Sequence, residues 1–256
     1  MRYASAAGRR VRALFAILAL LACASAAPTG PEIPENALRV LFIGNSLTYF
    51  NNLPAVVAAM AIATAQEKPP AFAMVAQPDY SLEDHWNDGR ARSALDSGPW
   101  HFVVMQQGPS SLVENRQLLR DWTQRFAGPI RAAGARPALY MVWPSSSRSG
   151  DFDGVLAAYS GAAAAVDGLF LPAGEAWRAA WRRDSELALY GPDGFHPSAL
   201  GTYLAALVIF TRLYDVSPDV VPSTFPVGSS TLRVSDEAAA HMRAAAKEVL
   251  AAYPVN

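Results

Sequence analysis

The chain has 256 residues, 52 % of them hydrophobic, with 21 basic and 22 acidic side chains and a formal charge of −1. That length and apolar content suit one sizeable core rather than several small domains. No basic run longer than two residues occurs after position 12, so nucleic-acid binding has little electrostatic support.

Residues 1–27 read as a separate element. Arg2, Arg9, Arg10 and Arg12 precede an apolar stretch, Ala13 to Ala22, that is short for a bilayer span, and small residues follow it. This is the pattern of a secretory signal peptide, so the protein is expected to be exported: periplasmic, extracellular or membrane-anchored. Cys23 is the only cysteine, which excludes an internal disulfide. Leu20-Leu-Ala-Cys23 has the form of a bacterial lipobox, in which Cys23 would carry a membrane-anchoring lipid; ordinary cleavage near Ala24-Ser-Ala26 is the alternative. Removing residues 1–23 leaves 17 basic against 22 acidic residues, a net −5. Pro28 to Asn36, with three prolines, reads as a linker, and residues 37–256 as one domain.

Within that domain apolar runs alternate with helical patterns. Strands are predicted over Leu38 to Ile43, Ala71 to Ala76, Phe102 to Gln106, Ala138 to Val142 and Leu169 to Leu171. Helices are predicted over Leu53 to Gln66, Ser81 to Leu95, Glu114 to Ala133, Phe152 to Val166, Ala176 to Arg183, Pro197 to Tyr214 and Ser235 to Ala252. About five strands alternating with helices predict an α/β fold whose parallel sheet is covered on both faces, because parallel strands need crossovers. In such sheets ligands bind beyond the carboxyl ends of the strands. Ser46 follows the first strand, and Gln106 and Gln107 end the third.

The chemistry concentrates in two places. Ser46 follows an apolar strand through Gly44-Asn45, a turn that can expose a hydroxyl and aim nearby peptide N–H groups at an oxyanion. Asp193 and His196 lie three apart in Gly191-Pro-Asp-Gly-Phe-His-Pro-Ser198. A carboxylate there can orient the imidazole through Nδ1 and leave Nε2 to take a serine proton. Ser46, Asp193 and His196 thus supply a hydrolytic triad in that chain order. His85 is expected to be a helix-surface or helix-packing residue, His101 a strand residue and His241 structural. Trp143, at the end of the fourth strand, is expected either to pack or to offer a ring for stacking on a sugar. Asp151-Phe-Asp-Gly154 lacks the remaining ligand positions of a calcium loop, and no metal-binding His pair or phosphate-cradling glycine loop is present.

Gly44-Asn-Ser-Leu-Thr48 and Asp193-Gly-Phe-His-Pro-Ser198, the latter followed by Gly201, resemble the first and last blocks of the SGNH (GDSL-type) hydrolases, over roughly residues 38 to 214. The resemblance implies a flavodoxin-like three-layer sandwich with five parallel strands and ester hydrolysis with no cofactor. It implies Ser46 as nucleophile, His196 as base and Asp193 as the orienting carboxylate. The middle blocks depart from the pattern. Asp79, in Gln77-Pro-Asp-Tyr-Ser-Leu82, stands nearest the position of the family's oxyanion glycine. Val104-Met-Gln-Gln-Gly108 replaces its Gly-x-Asn turn, so either Gln106 or Gln107 supplies the side-chain amide, with Gln107 preferred. The oxyanion hole is therefore expected from Ser46, Asp79 and Gln107. The expected reaction is hydrolysis of short-chain, acetyl-type esters on carbohydrate. The alternatives are a lysophospholipase or thioesterase, and a non-catalytic carbohydrate-binding protein on the same fold.

Overall fold

The computed structural model describes residues 33–255; residues 1–32, which hold the expected signal peptide, Cys23 and most of the expected linker, lie outside them, as does residue 256. Five parallel strands form one sheet: β1 (Leu38–Gly44), β2 (Pro70–Ala76), β3 (Phe102–Met105), β4 (Arg136–Tyr140) and β5 (Leu169–Leu171), in the order β2-β1-β3-β4-β5. The predicted strands are all present, shifted by at most two residues. β1 is buried along nearly its whole length because it lies inside the sheet; β2 is an edge strand, where Pro70 costs no interior hydrogen bond.

Two groups of helices cover the sheet. α2 (Leu53–Ala63) packs on α8 (Ala199–Tyr214), α8 on α7 (Ala173–Trp181) and α7 on α9 (Asp236–Ala252), and α3 (Leu82–Asp88), α5 (Val113–Ala132) and α6 (Phe152–Ala164) form the other group. α8 is buried almost all round, which matches its continuous apolar sequence. The single helix predicted over Ser81 to Leu95 is two: α3 stops at Gly89, whose φ of 82° is left-handed, and α4 (Arg90–Asp96) restarts there. A hairpin of β6 (Thr224–Val227) and β7 (Ser230–Arg233) turns through Gly228-Ser229 and was not expected. Its signal was the two-residue Gly-Ser connection.

The strand order fixes where a ligand crevice forms. The chain leaves β1 for the edge strand β2, then returns to β3 on the other side of β1. In such sheets that reversal marks the crevice outside the carboxyl ends of the two strands, here β1 and β3. Ser46 follows β1 and Gln106-Gln107 follow β3, so both border this crevice.

Candidate functional site

The Ser46 turn is built around one buried side chain. Gln106, fully buried, accepts hydrogen bonds at Oε1 from the Asn45 amide (2.9 Å) and the Thr48 hydroxyl (2.7 Å). Its Nε2 donates to Asn45 Oδ1 (2.8 Å) and to the Gln107 carbonyl. Asn45 Oδ1 in turn accepts from Leu47 N, capping the short helix α1 (Ser46–Tyr49). Gly44 is required by space: a Cβ there would lie 2.2 Å from Thr48 Oγ1 and 2.5 Å from Gln106 Oε1. Beneath the turn His85 is fully buried on α3 and donates through Nε2 to the Gly44 carbonyl (2.8 Å). Burial lowers its pKa, so it stays neutral; it is a packing residue inside the fold rather than on a helix surface. His101 lies just before β3 and accepts from Arg39 N at the opposite end of the sheet.

The committed amide of Gln106 leaves Gln107 as the side chain that faces the crevice. Gln107 Oε1 accepts from Leu82 N (3.1 Å), which fixes the amide's orientation, and Nε2 donates to Ser110 Oγ (2.9 Å). The buried Tyr159 hydroxyl donates to the Gln107 carbonyl (2.6 Å) and receives a hydrogen bond from its N–H (3.1 Å). Burial pushes the Tyr159 hydroxyl pKa well up, so it remains a donor. Sequence reasoning gave no signal for Tyr159, which lies 52 residues from its partner.

Asp79, which stands nearest the position of the family's glycine, has a left-handed backbone. Its φ is 59°, in the left-handed region that aspartate tolerates better than most residues. Among the described residues, the N–H groups of Ser46 and Asp79 have no protein acceptor. Ser46, Asp79 and Gln107 line one cavity of about 270 Å³ with Tyr80, Ser110 and Phe195. The structure thus brings the three expected oxyanion residues together.

The His196 loop reaches the same edge from the other side. Gly191 accepts from Gly194 N (3.0 Å) across a turn with Pro192 at its second position, and Gly191 N donates to the His196 carbonyl (2.7 Å). Gly194 has a φ of 69°, and a Cβ on it would lie 2.4 Å from Ser146 Oγ. Ser146 N donates to the Gly194 carbonyl (2.8 Å), Trp143 Nε1 to that of Phe195 (3.0 Å), and Asn51 Nδ2 to that of Pro197 (3.0 Å). Trp143 is fully buried and stacked on Trp177 at 3.5 Å, so the sugar-stacking expectation for it does not hold: its face is already covered.

Asp193 Oδ1 accepts from the amides of Phe195 (3.0 Å) and His196 (2.9 Å), and Oδ2 lies 2.5 Å from His196 Nδ1. Chiefly through the histidine, then through the Phe195 amide, these bonds hold the carboxyl pKa down to about 2. With Nδ1 turned to the carboxylate, Nε2 is the free ring nitrogen. The imidazole stacks on Phe50, one turn beyond Ser46, with centroids 4.5 Å apart. Among the described residues no hydrogen bond joins Ser46 Oγ to His196.

Neither a family model nor a curated protein matches the chain by sequence. Solved structures do match. A protein from Slackia heliotrinireducens, classed among the SGNH hydrolases, is 28 % identical, with a TM-score of 0.60 over 70 % of this chain and 100 % of its own. The chain has the SGNH hydrolase fold. A DUF4886 family protein from Bacteroides uniformis is 18 % identical (TM-score 0.65, 86 % of this chain, 96 % of that one) and shares the fold. So does an acetylxylan esterase from Geobacillus stearothermophilus, 14 % identical (TM-score 0.56, 71 % and 96 %), whose catalytic mutants include an Asp and a His three positions apart. The SGNH neighbours are esterase-, lipase- and acylhydrolase-type hydrolases.

Proposed function

We propose that this protein is a serine esterase that removes short acyl groups, acetyl above all, from carbohydrate hydroxyls. The observation that carries the reading is the Asp193–His196 pair at the same sheet edge as Ser46, beside two unpaired peptide N–H groups. His196 Nε2 takes the Ser46 proton as Oγ attacks the ester carbonyl, and Asp193 holds the ring's tautomer and offsets its positive charge. The amides of Ser46 and Asp79, with the second N–H of Gln107 Nε2, receive the oxyanion. His196 then returns the proton to the departing alcohol, and water repeats the sequence on the acyl-enzyme. Bonds within such pairs are loose in the free state and tighten around substrate, which accommodates the open Ser46–His196 gap.

The size of the cavity supports a short acyl group. At about 270 Å³ it falls just below the range of drug-sized ligand pockets, roughly 300–1,000 Å³. The exported location expected from residues 1–27 supports a polysaccharide substrate, which such a protein would meet outside the cytoplasm. Ser46→Ala tests the reading: p-nitrophenyl acetate turnover should fall on the order of 10⁴-fold or more, with thermal unfolding little changed. Wild-type turnover in that variant, or glycan binding with no turnover in the parent protein, overturns it.

A further inference from the structure

A second cavity adjoins the first. It is an open depression of about 620 Å³ lined by Phe50, Tyr190, Pro192, Asp193, His196 and Ala199, among others. The two cavities share the same two chain segments. Ser46 and Phe195 line the smaller one; Phe50, four residues on from Ser46, and His196, next to Phe195, line the larger. The wall between them is therefore the Ser46–Phe50 turn set against the Phe195–His196 dipeptide, whose rings meet at 4.5 Å (Phe50 and His196) and 5.3 Å (Phe195 and His196).

We infer that the larger cavity is the alcohol subsite and receives the sugar ring that bears the ester. The inference rests on the esterase reading, and the order of chemical events assigns the sides. The oxyanion donors line the smaller cavity, so the carbonyl oxygen points into it and the carbonyl carbon lies at its edge beside Ser46. The ester oxygen must leave with a proton from His196 Nε2, so the alcohol carrying it extends toward the imidazole. The imidazole opens into the larger cavity. The lining suits a pyranose: Phe50 keeps 38 % of its surface exposed and offers an apolar ring, while the half-exposed Asp193 carboxylate gives the rim a polar edge. Phe50 is thus a specificity-determining residue for the alcohol, and its stack against His196 places the ring at the boundary the leaving oxygen crosses.

The subsite is tested with two ester series. One varies the alcohol at constant acetate: methanol, cyclohexanol and a methyl pyranoside. The other varies the acyl chain from acetate to octanoate on p-nitrophenol. Ala199 is exposed in the first turn of α8, and Ala199→Phe places a ring in the larger cavity. In that variant kcat/KM should fall about tenfold or more further for the pyranoside acetate than for methyl acetate, in the range a filled pocket commands. The ranking along the acyl series should keep its order. Phe50→Ala, at a half-exposed position, is the second variant and should raise KM for the pyranoside acetate several-fold more than for methyl acetate. An equal loss across all alcohols in both variants, or a shift along the acyl series instead, overturns the subsite while Ser46-dependent hydrolysis stands. Loss of Ser46 dependence would instead overturn the esterase reading itself.

Discussion

The turn that carries Ser46 and the loop that carries His196 meet at one sheet edge but are secured in opposite ways. The first is tied to the interior: Gln106 and His85, both fully buried, hold Asn45, Thr48 and Gly44 from below. The second is tied down at the rim, mostly through backbone groups, with Asp193 half exposed and His196 partly so. Buried hydrogen bonds are costly to break because the orphaned group has no water to turn to, whereas rim bonds compete with solvent and cost little to exchange. Ser46, the proposed nucleophile, is thus placed by the core, and His196, the proposed base, is held by bonds that exchange more readily with solvent.

Four substitutions probe that contrast, from the strongest effect downward. His196→Ala should cost on the order of 10⁴-fold in kcat/KM while moving the melting temperature little, since the ring sits at the rim. A large loss of stability would show that the loop is as deeply anchored as the turn. Asp193→Asn should lower kcat/KM by roughly 10²–10⁴-fold, the usual worth of acid–base assistance. It also has a pH signature. The folded carboxyl titrates near 2, below its unfolded value of about 4, so its contribution is complete above about pH 4 and lost as the pH falls through about 2. Melting curves of the parent and the variant should therefore differ above pH 4 and converge near pH 2, by a modest margin because water screens the pair.

Gln106→Leu should show the reverse profile. The Asn45 amide and the Thr48 hydroxyl lose their acceptor inside the fold, at about 2–4 kcal/mol in urea unfolding, and activity falls as the turn relaxes. A stable and fully active variant would refute the idea that the core places the nucleophile. Asp79→Gly should have the mildest effect and a favourable one. It removes a negative charge beside the developing oxyanion, worth up to about fivefold in kcat at low salt, and less as salt screens it. A drop in kcat would mean that the Asp79 side chain itself contributes to the site.

The sheet was legible because its strands are apolar runs of the right length bounded by turn residues, and local pattern suffices for that. Ser46, Asp193 and His196 were legible because each motif is contiguous: one follows a strand through a glycine, the other two lie within a single turn. What was not legible depends on proximity created by the fold. Nothing in Val104-Met-Gln-Gln-Gly108 says which glutamine holds the Ser46 turn; β3 paired beside β1 decides it by bringing the Gln106 side chain to the Asn45 amide. The sequence leaves Trp143 open between packing and stacking on a sugar; α7 decides for packing by bringing Trp177 over its face. The break at Gly89 was visible as a glycine but not as a left-handed one, since glycine inside a helical pattern is often tolerated. Phe50 carried no signal of its own, because its partner lies on a loop nearly 150 residues away.

The loop between Tyr190 and Ser198 is pinned at both ends, by the bridge of Tyr190 to Pro197 and by the bond from Ser198 N to the Leu189 carbonyl. Such an excursion can fray on its own while the sheet beneath it stays intact. Warming should therefore open this loop before the sheet melts: amide protons of Gly191 and Gly194 would exchange with solvent early, at temperatures where those of β1 remain protected.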